Sequence, residues 1–262
     1  MSPLAAMVRR NDPDRFLAAL FAPDDKRETL LLLYAFNHEL ARAREVASQP
    51  MLALIRLQWW REVVEGTHRR HEVAEPLGAA LDAGLLSRDD LLAMIAARET
   101  EADDSVADLA TWLDYLAGSA GGLAVAAGRL LGADAATCER LRHLGAGYGV
   151  AGQLANVPAL AHQQRCLLPE DVLAAHQLSP GHVIQNPKAI GPVRAALAAE
   201  GLRLLRAGGG WMPRASIAAA LPSVLARRDL RRMAKPEGEA PIGRRGLGDK
   251  LAVVRAGLIG RV

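Results

Sequence analysis

Apolar residues recur every three or four positions along most of the chain, and no segment keeps the strict alternation of a half-buried strand. Capping residues and prolines mark where these segments begin, as where Asp12 precedes Pro13. The pattern therefore predicts an all-α fold. The main predicted helices cover residues 13–21, 23–48, 50–66, 91–101, 108–131, 138–161, 187–206 and 213–233, the last kinked at Pro222.

The stretch Tyr34–Glu45 (YAFNHELARARE) lies in the second predicted helix and combines an apolar stripe with a charged surface. Arg56–Glu62 (RLQWWRE) is predicted to lie on the next helix and to pack back on it. Burying a charge without a partner is costly. The first stretch therefore either exposes its charges to solvent or lines a polar cavity, and the residues alone leave both alternatives open.

The composition limits the class of protein. The chain has 262 residues, enough for one large domain, and its residues are 50% hydrophobic but only 4% aromatic, so Ala and Leu must fill the core. A net charge of +3 is too small to predict a nucleic-acid partner. Cys138 and Cys166 are unclustered thiols, which favours a reducing compartment over a disulfide framework or a zinc site. With no evident signal peptide or membrane span, we expect a cytoplasmic or peripheral protein.

Several short motifs occur in a fixed order along residues 12–232. They are YAF at Tyr34, RLxxW at Arg56, a tyrosine at Tyr115 before the glycine run of residues 118–122, QLxN at Gln153, and LP at Leu168. In this order they resemble the squalene/phytoene synthase family. The resemblance implies an all-α, isoprenoid-synthase-like helical bundle around a central cavity. It also implies a helical domain over residues 1–232, followed by a linker and a basic C-terminal tail over residues 233–262.

The same resemblance shows where the sequence departs from the family. Members hold magnesium with aspartates four residues apart on two helices, and these positions fall on Ala41, Arg42 and Glu45 in the first motif. In the second motif they fall on Leu160 and Gln164, just after Pro158, which we expect to interrupt the helix. Magnesium prefers carboxylate ligands. No metal or other cofactor is therefore expected, and such eroded motifs resemble the branch that includes the mitochondrial assembly factor of respiratory complex I.

Three hypotheses for function follow from the resemblance. The favoured one is a non-catalytic protein that assists respiratory-complex assembly at the inner membrane, with complex subunits as partners. The second is a binder of a prenyl diphosphate or isoprenoid lipid that retains the cavity. The alternative is an active head-to-head prenyltransferase with an altered diphosphate site, and only this one requires magnesium. Whether the protein is an enzyme stays open, with a non-enzyme favoured.

No catalytic residue is assigned, but nine residues are candidates for the ligand pocket. The first eight are expected to face the cavity and the ninth to lie at its mouth. They are Tyr34, His38, Arg42, Glu45, Arg56, Tyr115, Gln153, Asn156 and Arg165.

Two charged segments lie outside these motifs. The acidic run Glu99–Asp104 is predicted to be solvated, with a metal site at Glu99 and Asp103 as the alternative. The tail Arg244–Val262 has five basic residues and one acid, and apolar residues recur in it at helical spacing from Leu247 to Leu258. It is either a basic amphipathic helix that binds an anionic membrane or a terminus that is frayed or packed on the domain.

Overall fold

The computed structural model describes residues 2–47, 49–235 and 245–262. Within these ranges the chain is helical and has no β-strand, which confirms the predicted all-α class. The helices are α1 Pro3–Asn11, α2 Pro13–Ala19, α3 Asp24–Glu45, α4 Pro50–Glu65, α5 Ala74–Asp82, α6 Arg88–Arg98, α7 Leu109–Gly118, α8 Ala120–Leu130, α9 Ala135–His162, α10 Glu170–Ala175, α11 Pro180–Gln185, α12 Gly191–Gly208, α13 Ile217–Ala220, α14 Pro222–Met233 and α15 Leu247–Ile259. A 3-10 turn, Glu99–Ala102, follows α6.

Helix α3 is buried over most of its length because residues 30–37 and Leu40 lie in the core. Helix α4 packs back on it as predicted, with the ring of Trp60 placed edge-on to that of Phe36 at a centroid distance of 5.4 Å. Such edge-to-face pairs add to the stabilisation from buried area. This contact fixes the YAF segment against the RLQWW segment.

Helix α9 runs through the centre of the bundle and packs against α7, α8, α12 and α14. Glycines allow this close approach. A Cβ atom at Gly145 would lie 2.8 Å from the Cα of Gly121 on α8, and one at Gly201 on α12 would lie 2.8 Å from Val150 Cγ1. The small-residue surface predicted on this helix is therefore used for helix–helix contact.

The predicted helices differ from the structure at several points. The helix predicted over residues 108–131 breaks at Ser119 into α7 and α8, at the glycine run where a kink was expected. Pro158 does not interrupt α9, which continues to His162. The helix predicted from Pro187 begins instead at Gly191, with Pro192 in its first turn, where the missing N–H is tolerated.

Helix α15 packs against α14, with Val253, Ala256 and Gly257 buried. Arg245 ties the start of this segment to the domain through the carboxylates of Asp14 and Asp229, both at 2.7 Å. Residues 236–244, most of the predicted linker, lie outside the described residues. Of the alternatives for the tail, the structure shows a helix packed on the domain by one face. No helix in the described ranges is long and apolar enough to span a bilayer.

Candidate functional site

A buried polar cluster lies where α3, α6, α7 and α9 meet. We call it the Glu101 cluster; it comprises Asn37, Arg98, Glu101, Tyr115, Gln153 and Arg165. Arg98 donates to the carboxylate of Glu101 at 2.5 Å and to Asn37 Oδ1 at 3.1 Å. The Tyr115 hydroxyl donates to the same Glu101 oxygen and accepts a hydrogen bond from Gln153 Nε2 at 2.9 Å. The carboxylate thus joins α6 and α7 directly, and Arg98 and Tyr115 extend the contacts to α3 and α9.

The 3-10 turn Glu99–Ala102 brings Glu101 into this position. It follows α6 directly, so Arg98 and Glu101 are three residues apart and face each other. Only 8% of Glu101 is exposed. Burial of a carboxylate requires a cationic partner and further hydrogen bonds, and Arg98 and Tyr115 supply both.

A second contact extends the cluster toward the ends of α3 and α9, and we call it the Asp104 bridge. Arg44 on α3 contacts the carboxylate of Asp104 at 2.9 Å, and Nε of Arg165, just after α9, lies 3.6 Å from the same oxygen. Arg165 also donates to the main-chain carbonyls of Glu101 and Asp103. Within the acidic run, Glu99, Asp103 and Asp104 are exposed as predicted, whereas Glu101 is buried, which corrects the prediction for that residue.

The electrostatics of the cluster favour fixed protonation states. Burial raises the pKa of Tyr115, and the nearby Glu101 carboxylate raises it further, so the phenol remains a hydrogen-bond donor. Burial lowers the pKa of Arg98, but the Glu101 carboxylate and Tyr115 together raise it, and the net direction is upward. The cluster therefore combines a buried ion pair with hydrogen bonds from a neutral phenol and an amide.

The interior beside Tyr34 differs from the predicted central cavity. Arg15 on α2 pairs with Asp12 at 2.7 Å, and its guanidinium carbon lies 4.5 Å from the ring centre of Tyr148 and 6.0 Å from that of Tyr34. The remaining void has about 10 Å³, enough for about one water molecule. The cation and the aromatic rings fill the space that the resemblance assigns to a ligand.

The nine predicted pocket residues do not form one pocket. The structure brings Tyr115, Gln153 and Arg165 together in the Glu101 cluster, and it buries Tyr34 beside Arg15. Arg165 was predicted at the cavity mouth, but it is only 4% exposed because it caps the carbonyls of the acidic run. The residues predicted to face the cavity but found on the exposed surface are Arg42, Glu45, Arg56 and Asn156.

His38 is half-buried beside them on α3, and burial lowers its pKa, while Glu39 raises it and Arg42 lowers it. Sequence reasoning missed Asn37, Arg98 and the role of Glu101 and Asp104. The only available signal was the presence of four acidic residues directly after an arginine that ends a helix.

The residues at the family's metal positions do not suit a magnesium cluster. Ala41 and Leu160 have no donor atom, Leu160 is buried, and Glu45 and Arg42 are exposed on α3. Among the described residues, no three imidazole, thiol or carboxylate groups converge closely enough to hold a metal ion. Magnesium needs one or two carboxylates plus oxygen ligands. The donor set present here does not provide that arrangement.

The fold defines an isoprenoid-synthase-like helical bundle. The backbone is similar to that of a dehydrosqualene synthase in complex with ligand, with a TM-score of 0.79 and 14% identity over 98% of this chain and 94% of that one. It is also similar to a squalene synthase from Alicyclobacillus acidocaldarius, with a TM-score of 0.66 and 15% identity over 98% and 92% of the two chains. The profile of the squalene/phytoene synthase family matches residues 8–247, so the chain belongs to this family.

Curated relatives carry a different name. The chain is 29% identical over 182 residues to rat NADH dehydrogenase (ubiquinone) complex I, assembly factor 6. The aligned region covers 66% of this chain and 54% of the relative. The chain is 25% identical over 179 residues to the human protein of that name, with the same coverage, and 26% identical over 196 residues to the Drosophila melanogaster homolog, at 69% and 58%. The chain therefore spans little more than half the length of these relatives.

Proposed function

We propose that this protein assists the assembly of a respiratory complex and does not catalyse prenyl transfer. The observation that carries the proposal is the Asp104 bridge, in which Arg44 and Arg165 share one carboxylate at the ends of α3 and α9. These are the helix ends near which the family's two metal motifs fall by resemblance. Ionisation of an allylic diphosphate needs metal ions held by carboxylates. The nearby carboxylate, that of Asp104, is already paired with two arginines.

The interior supports the same proposal. The void beside Tyr34 is about 10 Å³, far below the roughly 300–1,000 Å³ of a typical ligand pocket. Arg15 and Tyr148 fill this region, so the bundle is built as a packed scaffold at the place where a prenyl chain is expected. The names of the curated relatives are consistent with a scaffold that acts on subunits of complex I.

The partners proposed are subunits of the respiratory complex during its assembly, and the location proposed is the surface of the membrane that holds this complex. Deletion of the gene in its own organism is expected to lower the amount of assembled complex on native gels and the NADH oxidation rate of membranes. The intact chain is expected to restore both.

A variant pair separates assembly from catalysis. Glu45→Ala removes the carboxylate that remains in the first motif, and Glu65→Ala is the control at an exposed glutamate that ends α4. Both are expected to restore complex assembly, and the purified chain is expected to release no pyrophosphate from farnesyl or geranylgeranyl diphosphate with magnesium. Pyrophosphate release that stops with Glu45→Ala, together with failure of that variant to restore assembly, would overturn the proposal in favour of the prenyltransferase.

A further inference from the structure

Helix α15 presents an apolar stripe to the outside of the molecule. Its residues are spaced four, three and four positions apart, which at about 100° per residue places them on one side of the helix. We call it the outer face of α15, and it consists of Leu247, Leu251, Val254 and Leu258. Leu247 is 78% exposed, and Leu251 and Leu258 are each 66% exposed. The helix therefore has a second apolar surface besides the one that packs on α14.

Charged residues on the helix are sorted between the two sides. Lys250 and Arg255 are exposed and lie on opposite flanks of the outer face, each turned by roughly 60–80° from its centre line. Asp249 is the acid on this helix, and it points toward the domain, where it pairs with Arg228 at 2.7 Å. The outer face is thus bordered by positive charge, and the negative charge of the helix is neutralised on the other side.

Trp211 lies beside the C-terminal end of α15. Its backbone is tied to the segment after the helix, because Gly210 N–H donates to the carbonyl of Val262 at 2.9 Å and Met212 N–H donates to that of Gly260 at 2.9 Å. The side chain is 66% exposed although it is a large aromatic group. Tryptophan is enriched at membrane–water interfaces because its ring is apolar and its N–H is polar.

We propose that the outer face of α15, together with Trp211, is a docking surface for an anionic lipid bilayer. An apolar stripe bordered by Lys and Arg matches the boundary between acyl chains and headgroups, with phosphates within reach of the basic flanks. A second copy of the chain is a poorer occupant, because a two-fold contact would place Lys250 and Arg255 against the same charges. This inference concerns a surface and stands without the assembly function.

Sedimentation of the full chain with vesicles tests the apolar part. The chain is expected to bind vesicles of mixed phosphatidylglycerol and phosphatidylcholine, and the double variant Leu251→Ser, Leu258→Ser is expected to bind at least about tenfold more weakly. The control is Met51→Ser with Ile55→Ser, two exposed apolar residues on α4, which are 63% and 57% exposed. The proposal is overturned if the α15 variant binds like the unaltered chain, or if the α4 variant loses as much binding.

The basic flanks and Trp211 give two further readouts. Lys250→Gln with Arg255→Gln is expected to weaken binding to the anionic vesicles about 30-fold. Binding to vesicles of phosphatidylcholine alone is expected to change little. The fluorescence of Trp211 is expected to shift to the blue with anionic vesicles, and Trp211→Phe is expected to remove the shift. A shift that survives Trp211→Phe, or binding that ignores both salt and the basic pair, would contradict docking through this surface.

Discussion

Arg44 on α3 and Arg165, in the segment after α9, meet at one carboxylate, that of Asp104, at 2.9 Å and 3.6 Å. Their side chains are only 11% and 4% exposed, whereas Asp104 is 63% exposed. Two largely buried cations therefore converge on an acid that reaches in from solvent. The main-chain carbonyls of Glu101 and Asp103 supply the remaining negative potential for Arg165.

The first prediction concerns Glu101, the centre of the buried cluster. Glu101→Gln keeps the shape but leaves Arg98 without its carboxylate at a site where both side chains are about one-tenth exposed. Loss of one partner of a buried ion pair costs about 3–5 kcal/mol. We expect the free energy of unfolding in urea to fall by about that amount. Glu99→Gln, which removes an exposed pair with Arg61, is expected to change it by less than about 1 kcal/mol.

A second prediction compares two glycines of α9. A Cβ atom at Gly145 would meet Ala124 and the backbone of Gly121 at 2.8 Å, whereas one at Gly152 would meet nothing within 4 Å. Gly145→Ala is therefore expected to destabilise the protein by about 2–3 kcal/mol, because α8 and α9 must separate. Gly152→Ala is expected to stabilise it by up to about 1 kcal/mol through helix propensity. If both substitutions changed the free energy of unfolding in urea by the same amount, the close approach at Gly145 would not be what holds α8 against α9.

The third prediction is a pH dependence that comes from His38. Burial lowers its pKa in the folded chain below the ordinary value of 6.5, so the unfolded chain binds a proton first as pH falls. The contribution of His38 to the free energy of unfolding is fully present at pH values above its pKa in the unfolded chain. This contribution is lost as pH falls from there toward its pKa in the folded chain. We expect the free energy of unfolding to decrease as pH falls below about 6.5. His38→Gln is expected to flatten that slope, and an unchanged slope would assign it to other groups.

The fourth prediction addresses the attachment of α15. Arg245 donates to both oxygens of Asp14 and of Asp229 at 2.7–3.1 Å, so Arg245→Gln removes two ion pairs together. The free energy required to detach α15 from the domain is expected to fall by about 3 kcal/mol. Hydrogen exchange of the amides around Val253 is the measurement. Arg255→Gln, an exposed change on the same helix, is expected to leave the exchange rate as it was.

A fifth prediction concerns magnesium. Ala41 and Leu160 offer no ligand atom, so magnesium with farnesyl diphosphate is expected to leave the thermal unfolding midpoint unchanged, and a chelator is expected to have no effect. A dehydrosqualene synthase under the same conditions serves as the positive control. A magnesium-dependent rise of the midpoint that is lost with Glu45→Ala would mean that an unusual metal site exists on α3.

The sequence predicted the all-α class and the pairing of α3 with α4, because apolar spacing and aromatic residues such as Phe36 and Trp60 act locally or between neighbouring helices. It also placed the kink near Ser119, where three glycines weaken the helix. The family resemblance identified Tyr115 and Gln153, which do share one cluster.

The sequence did not predict the partners of the acidic run. Arg44 and Asp104 are 60 positions apart, and Arg98 and Asn37 are 61 apart, so no local spacing connects them. The packing of Arg15 against Tyr148 was missed for the same reason, and with it the small volume left beside Tyr34. Charge pairs between distant segments are decided by helix packing, which periodicity does not describe.

The contact between Asp14 and Arg245 spans 231 positions of sequence. A growing chain emerges from the ribosome with its N-terminal part first, so Asp14 and Asp229 are both present before their shared cation arrives. Until then the two carboxylates lack their shared cationic partner, and the surface of α14 that α15 covers is exposed. The attachment of α15 through Arg245 therefore joins residues that are 231 positions apart, which closes a very large loop.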